Sequence, residues 1–289
     1  MRSCYLFCDG GFNNRFNVLL SGLVLAKKTK THPIIIWEKT DGCGAEFHDI
    51  FDNNHEIYHN YDFKTFFDNH DTMNIVHDNL FLRDISFRNT FSFNSIDEVI
   101  AYVDSDNRDI FFYTNLRPVW VDQNFMFSEI LPEIPFKKEL MDISQKILDD
   151  NAGNQTFHGI HIRKTDFPSY NANMESNLYK IVSENKYEKF FICSDDEETE
   201  KNFKKNSNVF TYEKHNYTEK LVESLGWNDV VYDIYGRPFP FNMKRNKFNV
   251  IEAIVDMIIL SKSNIIQTNM GSTFLQNAIM LNCYWKHIN

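Results

Sequence analysis

Gly159-Ile160-His161-Ile162-Arg163-Lys164-Thr165-Asp166-Phe167 decides the fold, because an apolar run that starts at Phe157 ends abruptly in Arg, Lys and Asp. A buried parallel strand reads this way where it delivers polar side chains to a ligand crevice at its carboxyl end. Arg163 brings a permanent charge and a planar fork of donors suited to a pyrophosphate. The plainer reading is a strand-end ion pair between Arg163 and Asp166.

Two further segments carry the same logic outward. At the amino terminus, Tyr5-Leu6-Phe7 reads as a strand, Asp9-Gly10-Gly11-Phe12-Asn13-Asn14-Arg15-Phe16 follows it, and an amphipathic helix runs from about Asn14 to Lys28. Glycines between strand and helix let amide N–H groups approach an anion at the helix start. The Gly-x-Gly-x-x-Gly spacing and the P-loop Gly-Lys-Ser/Thr are both absent, and a plain strand-to-helix turn accounts for Gly10 and Gly11 equally well. Toward the other end, a helical stretch from Val250 to Leu260 leads into the short apolar strand Asn264-Ile265-Ile266-Gln267, the turn Gly271-Ser272-Thr273 and a last helix from about Phe274. Hydroxyls and amides there suit phosphate oxygens, while Ser272 or Thr273 would also cap its own helix.

Strand and helix signals alternate along the chain, as a parallel α/β architecture requires. Pro33–Trp37 and Asp109–Thr114 read as buried strands, Phe136–Asp150 as a helix, and strands are expected near Phe157–Ile162, Lys189–Cys193, Val209–Tyr212 and Asn264–Gln267. The region from Gly42 to Ser105 reads poorly apart from a short helix carrying Phe47, Ile50 and Phe51, and is assigned to acceptor-side loops and short elements. Asp149-Asp150-Asn151-Ala152-Gly153-Asn154 combines turn formers with charge, which places the expected boundary between domains 1–151 and 152–289.

Taken together, these motifs resemble the fucosyltransferase superfamily that includes the α1,2-, α1,6-, nodulation-factor and protein O-fucosyltransferases. Gly10-Gly11-Phe12-Asn13-Asn14-Arg15 is similar to that superfamily's first Gly-rich turn, and His161-Ile162-Arg163-Lys164-Thr165-Asp166 to its His-x-Arg-Arg-x-Asp. Phe191-Ile192-Cys193-Ser194-Asp195-Asp196 is similar to its strand ending in Ser/Thr-Asp, and Gly271-Ser272-Thr273-Phe274 to its last Ser-Ser/Thr-Phe turn. The resemblance implies a GT-B fold, two Rossmann-like domains facing across a cleft, with the last helix free to pack back on the first. It also implies inverting, metal-independent transfer from a nucleotide sugar, GDP-fucose first, to a glycan acceptor. Arg163 would contact the donor diphosphate, Ser272 and Thr273 would lie on its phosphates, and His161 and Asp195 would sit near the nucleoside. Gly10, Gly11, Asn13, Asn14, Gly271 and Phe274 complete the expected donor site.

One departure bears on the base. Where the α1,6 group has a glutamate after its His-x-Arg motif, this chain has Pro168-Ser169-Tyr170-Asn171. Asp9, Asp166 and Glu46, in that order, are the candidates for deprotonating an acceptor hydroxyl, and a donor phosphate oxygen is the alternative on a dissociative path. Arg237 and Arg245 are candidate second cations for the leaving group or else solvated surface charge. The motifs read a diphosphate and not its base, so UDP-xylose or another GDP- or UDP-sugar stays open as donor.

Composition sets limits. A chain of 289 residues suits one large domain or two smaller ones, and 27 Phe and 13 Tyr are ample for packed cores. A net charge of -10 offers no basic field for nucleic acid. The five cysteines are scattered without a Cys-x-x-Cys, so neither a disulfide framework nor a zinc site is expected, and a reducing, cytoplasmic setting fits. No apolar run approaches the roughly 18 residues of a membrane span, so a soluble chain is expected. Asp104-Ser105-Asp106 spells a metal-binding Asp-x-Asp but falls in an Asn/Asp-rich turn, where surface turn chemistry explains it. His48, His55, His59, His70 and His77 match no ligand spacing. A non-catalytic glycan-binding module is the competing class, since Trp37, Trp120, Trp227 and Trp285 could stack on sugars.

Overall fold

A computed structural model describes residues 2–59, 66, 73–77, 90–91, 96–105, 107–114, 122–165, 172–227, 229–232, 238–239, 242–266 and 272–288. The chain forms two compact units: residues 1–40 with 46–135, and residues 41–45 with 136–289.

Unit 1 is built on a parallel sheet of β1 (Ser3–Phe7), β2 (His32–Ile36), β3 (Glu56–Tyr58), β4 (Asn74–His77), β5 (Thr90–Phe91) and β6 (Ile110–Tyr113), in the order β3-β2-β1-β6-β4-β5. Parallel strands covered on both faces need apolar residues at every position, and that is what Ile34-Ile35-Ile36 and Ile110-Phe111-Phe112-Tyr113 supply. One face packs Tyr5, Phe7, Ile34, Ile36, Phe111 and Tyr113 around Phe66. Against the other lies α1 (Phe12–Thr29), whose side chains from Phe16 to Ala26 are all buried. Strand order reverses between β1 and β6, so the switch point of this sheet lies beyond the carboxyl end of β1, where Asp9 and Gly10 follow.

Unit 2 repeats the plan with β7 (Phe157–Ile162), β8 (Lys189–Ser194), β9 (Val209–Phe210) and, after the hairpin strands β10 (Val231–Tyr232) and β11 (Pro238–Phe239), β12 (Asn264–Ile266). The parallel order is β12-β7-β8-β9. Ile160, Ile162, Phe190 and Ile192 pack against Leu178, Val182 and Phe203 on one face. Those partners come from the helices Ala172–Glu184 and Glu197–Phe203. On the other face the apolar helix Lys247–Ser261 crosses β7 so closely that a Cβ at Gly159 would overlap Ser263 and Leu260. Here the switch point lies between β7 and β12, beyond whose carboxyl ends Arg163 follows β7.

The helix Lys138–Asn151, expected to close the first domain, groups with unit 2 because it packs on the helix Lys247–Ser261. The last helix, Thr273–Ile288, packs on that same helix. The region read as loops and short elements contains β3, β4, β5 and the helix Ile96–Val103, beside the expected Phe47–Ile50. Among the described residues no helix is long and apolar enough to cross a membrane. All five cysteines are free, and Cys4, Cys8, Cys43 and Cys193 are buried.

Candidate functional site

The carboxyl ends of β7, β8 and β12 bring most of the expected donor residues together. His161 is buried at the end of β7, and its ring stacks on Phe274 of the last helix with centroids 4.3 Å apart and planes 22° from parallel. That stack ties the His-x-Arg strand to the Ser-Thr-Phe turn. Ser272 is fully buried, and its Oγ accepts a hydrogen bond from the Leu275 N–H at 3.5 Å, so it caps the first turn of its own helix. Thr273 and Phe274 are half-buried, and Gly271 lies outside the described residues.

Arg163 is half-buried immediately beyond β7, and the loop that carries it is fixed from β8. The Asp195 carboxylate accepts the Lys164 N–H at 2.8 Å and the Thr165 hydroxyl at 2.7 Å. The Thr165 N–H also reaches it, at 3.3 Å. Asp195, expected near the nucleoside, is therefore committed first to shaping the Arg163 loop. Lys164 turns back to Asp196 at 3.0 Å and Thr199 at 3.1 Å. Burial opposes the lysine's charge, but the Asp196 carboxylate outweighs it and raises the Lys164 pKa. Asp196 in turn sits below the usual carboxylate range: burial pushes it up, and bonds from Thr199 and Lys164 more than offset that. Of the strand-end charges, Lys164 is thus spent on the fold, and Asp166 lies outside the described residues.

Beneath this loop is a charged cluster that the sequence did not disclose. Lys214, 5% exposed at its side chain, donates to Glu200 Oε1, to Asp256 Oδ2 at 2.6 Å and to the Ser194 carbonyl at 2.7 Å. Glu200 also accepts the Ser194 N–H at 2.7 Å and the Tyr217 hydroxyl at 2.8 Å. Glu252 holds the N–H groups of His215 at 3.0 Å and Asn216 at 2.9 Å. Burial opposes the Lys214 charge, yet Asp256 and Glu200 hold it above the ordinary lysine range. Burial drives Asp256 up to about 7, Lys214 pulls against that, and Glu200 adds to the rise.

In unit 1 the Gly-rich turn is held by Arg15, which is completely buried. Its Nε donates to the Gly10 carbonyl at 2.7 Å, its other nitrogens to the Glu38 carbonyl at 2.5 Å and the Thr40 hydroxyl at 2.9 Å, and the guanidinium lies 5.1 Å from the Trp37 ring centroid. Gly10 has φ +79°, which a side chain would strain. Gly11 is the N-cap of α1 and offers no side-chain cap, and Asp9, Asn13 and Asn14 are half-buried around the turn. Arg15 stood inside the quoted motif without a role assigned to it. A lone arginine within the apolar run from Phe12 to Ala26 was the available signal.

The remaining candidates fall elsewhere. Glu46 is exposed, caps the helix Phe47–Ile50 in a reciprocal box with Asp49, and pairs with Lys39 at 2.6 Å. Arg245 is half-buried, and its backbone joins the 41–45 segment through its N–H to the Asp41 carbonyl at 2.8 Å and its carbonyl to the Gly44 N–H at 2.7 Å. Arg237, Asp106 and Trp120 lie outside the described residues. Asp104 pairs with Arg2 at 3.2 Å, and Trp37 is buried among Phe12, Phe47 and Phe51 rather than displayed to a sugar. Among the described residues no His, Cys, Asp and Glu side chains gather to hold a metal ion.

No protein-family model and no curated protein matches this sequence. Solved structures do match its fold. NodZ alpha-1,6-fucosyltransferase co-crystallised with GDP aligns at TM-score 0.57 with 15% identity over 97% of this chain and 92% of that one. POFUT1 in complex with GDP-fucose aligns at 0.52 with 10% identity over 97% and 93%. An Arabidopsis thaliana FUT1 variant in complex with GDP aligns at 0.54 with 11% identity over 97% and 68%. The mixed α/β architecture with two parallel sheets is therefore that of the GT-B fucosyltransferase structures, and the resemblance read from the motifs is met at the level of fold.

Proposed function

We propose that the protein is an inverting, metal-independent glycosyltransferase that moves fucose from GDP-fucose to a glycan acceptor. The observation that carries this reading is the His161–Phe274 stack, which joins the end of β7, next to Arg163, to the start of the last helix at the switch point of the unit 2 sheet, while Asp195 braces the Arg163 loop from β8. Ligands of open α/β sheets bind at such points. The nature of the ligand is taken from the GDP and GDP-fucose held by solved structures that share the fold.

Breaking the bond between fucose and diphosphate leaves negative charge on the nucleotide, and fixed cations and amides must meet it. Arg163 supplies the cation. The turn at 271–273 supplies amides and hydroxyls to the phosphates, with Ser272 donating its hydroxyl hydrogen while its oxygen caps the helix. His161 and Asp195 border the nucleoside, and Gly10, Gly11, Asn13 and Asn14 line the Gly-rich turn. Arg245 and Arg237 are second cations. Asp9, at the carboxyl end of β1, is the general base; Asp166 follows it, and Glu46 comes last because its carboxylate is spent on a helix cap and Lys39.

Thermal shift with GDP, GDP-fucose and UDP-xylose tests the donor. A ligand at about 100 times its dissociation constant stabilises by about 2.7 kcal/mol, so GDP and GDP-fucose should raise the melting temperature and UDP-xylose should not. The reverse order would replace the donor. Asp9→Asn should lower turnover by about 10² to 10⁴ with donor affinity retained, and wild-type turnover in that variant would remove Asp9 from the mechanism.

A further inference from the structure

We propose that Lys214, together with Glu200 and Asp256, is a positioning residue for the Arg163 loop. The inference rests on the reading of Arg163 as the ligand of a donor diphosphate. It begins at Ser194, the last residue of β8, which sits in register with Ile162 of β7. In a parallel strand the N–H and C=O of one residue point to the same side. On the side away from β7 the neighbour β9 pairs only with Phe190 and Phe191, so the backbone groups of Ser194 lie beyond its reach. Glu200 and Lys214 take the place of the missing strand, accepting the Ser194 N–H at 2.7 Å and donating to its carbonyl at 2.7 Å.

The next residue is Asp195, whose carboxylate grips the N–H of Lys164 and the hydroxyl of Thr165, the two residues after Arg163. Hydrogen bonds thus run from Asp256 on the helix Lys247–Ser261 through Lys214 to Ser194, the chain itself carries the link to Asp195, and hydrogen bonds resume from there to the Arg163 loop. Stability alone gives no reason for such a cluster, because replacing a buried ion pair with apolar residues is often neutral or stabilising. Holding an arginine loop in one geometry does.

The test is a double-mutant cycle on the full chain with GDP as the probe, read by calorimetry and carried to millimolar GDP. Lys214→Met/Asp256→Asn removes the cation together with one carboxylate, leaving Glu200 its bonds from Ser194 and Tyr217. In the wild-type background it should weaken GDP about tenfold. In an Arg163→Ala background the same change should cost less than about twofold, because the residue it positions is gone. Equal losses in the two backgrounds, or unchanged affinity in the first, would overturn the proposal. If the double variant does not fold, Tyr217→Phe takes its place, with an expected loss of about two- to threefold that also vanishes without Arg163. Failure of the wild type to bind GDP would instead remove the underlying reading of the site, and the inference with it.

Discussion

Among the described residues, each unit buries a cation near the carboxyl end of its sheet, Arg15 in one and Lys214 in the other, and the two are satisfied in opposite ways. Arg15 meets two carbonyls, a hydroxyl and an indole face, and no carboxylate pairs with it among the described residues. Lys214 meets one carbonyl and two carboxylates. A guanidinium spreads its charge over five donors and can cross-link neutral acceptors, whereas a compact ammonium stripped of water needs full counter-charge. The cation that ties the Gly-rich turn is therefore held by neutral acceptors rather than by a carboxylate in direct contact among the described residues. The cluster under β8 is compensated and more, so Lys214 has no charge to offer an anion, and that role is left to Arg163 and the second cations proposed with it.

The comparison can be broken by deleting each cation. Lys214→Met leaves Glu200 and Asp256 buried without a counter-charge and should cost about 3 to 5 kcal/mol. Arg15→Met strands only neutral acceptors and should cost less, about 2 to 3 kcal/mol. Melting temperatures of the two variants in one buffer check the order. A larger loss for Arg15→Met would show that compensation is not what separates the two sites.

Titration sharpens the contrast, since only the Lys214 cluster holds a carboxylate displaced toward neutrality. With Asp256 raised to about 7 when folded, the folded chain binds a proton that the unfolded chain has already released. Stability should accordingly fall as pH rises from about 4 to about 7, by at most about 1.4 kcal/mol per unit, and level off above. Asp256→Asn should abolish this slope. Melting followed from pH 5 to 8 decides it, and an unchanged slope in the variant would place the titration elsewhere.

Ser272→Ala should have the smallest effect, about 1 kcal/mol, because it removes one cap. If its hydroxyl also binds a phosphate, GDP affinity falls along with melting temperature. Lower stability at constant affinity would leave Ser272 as a cap and nothing more.

How much of this was legible follows from what each residue announces. β7 and β8 could be read because long apolar runs end in His-Ile-Arg and Cys-Ser-Asp, and the structure gives them the bounds Phe157–Ile162 and Lys189–Ser194. β3, β4 and β5 could not, since strands of 3, 4 and 2 residues among Asn, His and Phe carry no period to detect. The turn formers at 149–154 suggested a boundary, but the helix before them buries Leu140, Ser144 and Leu148 and belongs with unit 2. Arg163 could be singled out because it stands where an apolar run ends. Arg15 and Lys214 escaped because a buried cation is spelled like a solvated one, and Glu213-Lys214-His215 looks like an ordinary polar loop. Ser194, Glu200 and Asp256 assemble around Lys214 only through tertiary structure, from positions far apart in the chain.

The most direct measurement is release of GDP from GDP-fucose by the wild type and by Arg163→Ala, with an acceptor supplied. The wild type should turn over, and the alanine variant should be slower by about a hundredfold or more while keeping its melting temperature, with Arg163→Lys recovering only part of the loss. Near-normal turnover in Arg163→Ala would contradict the assignment of the leaving-group cation, and a wild type inert toward GDP-fucose would contradict the proposed function itself.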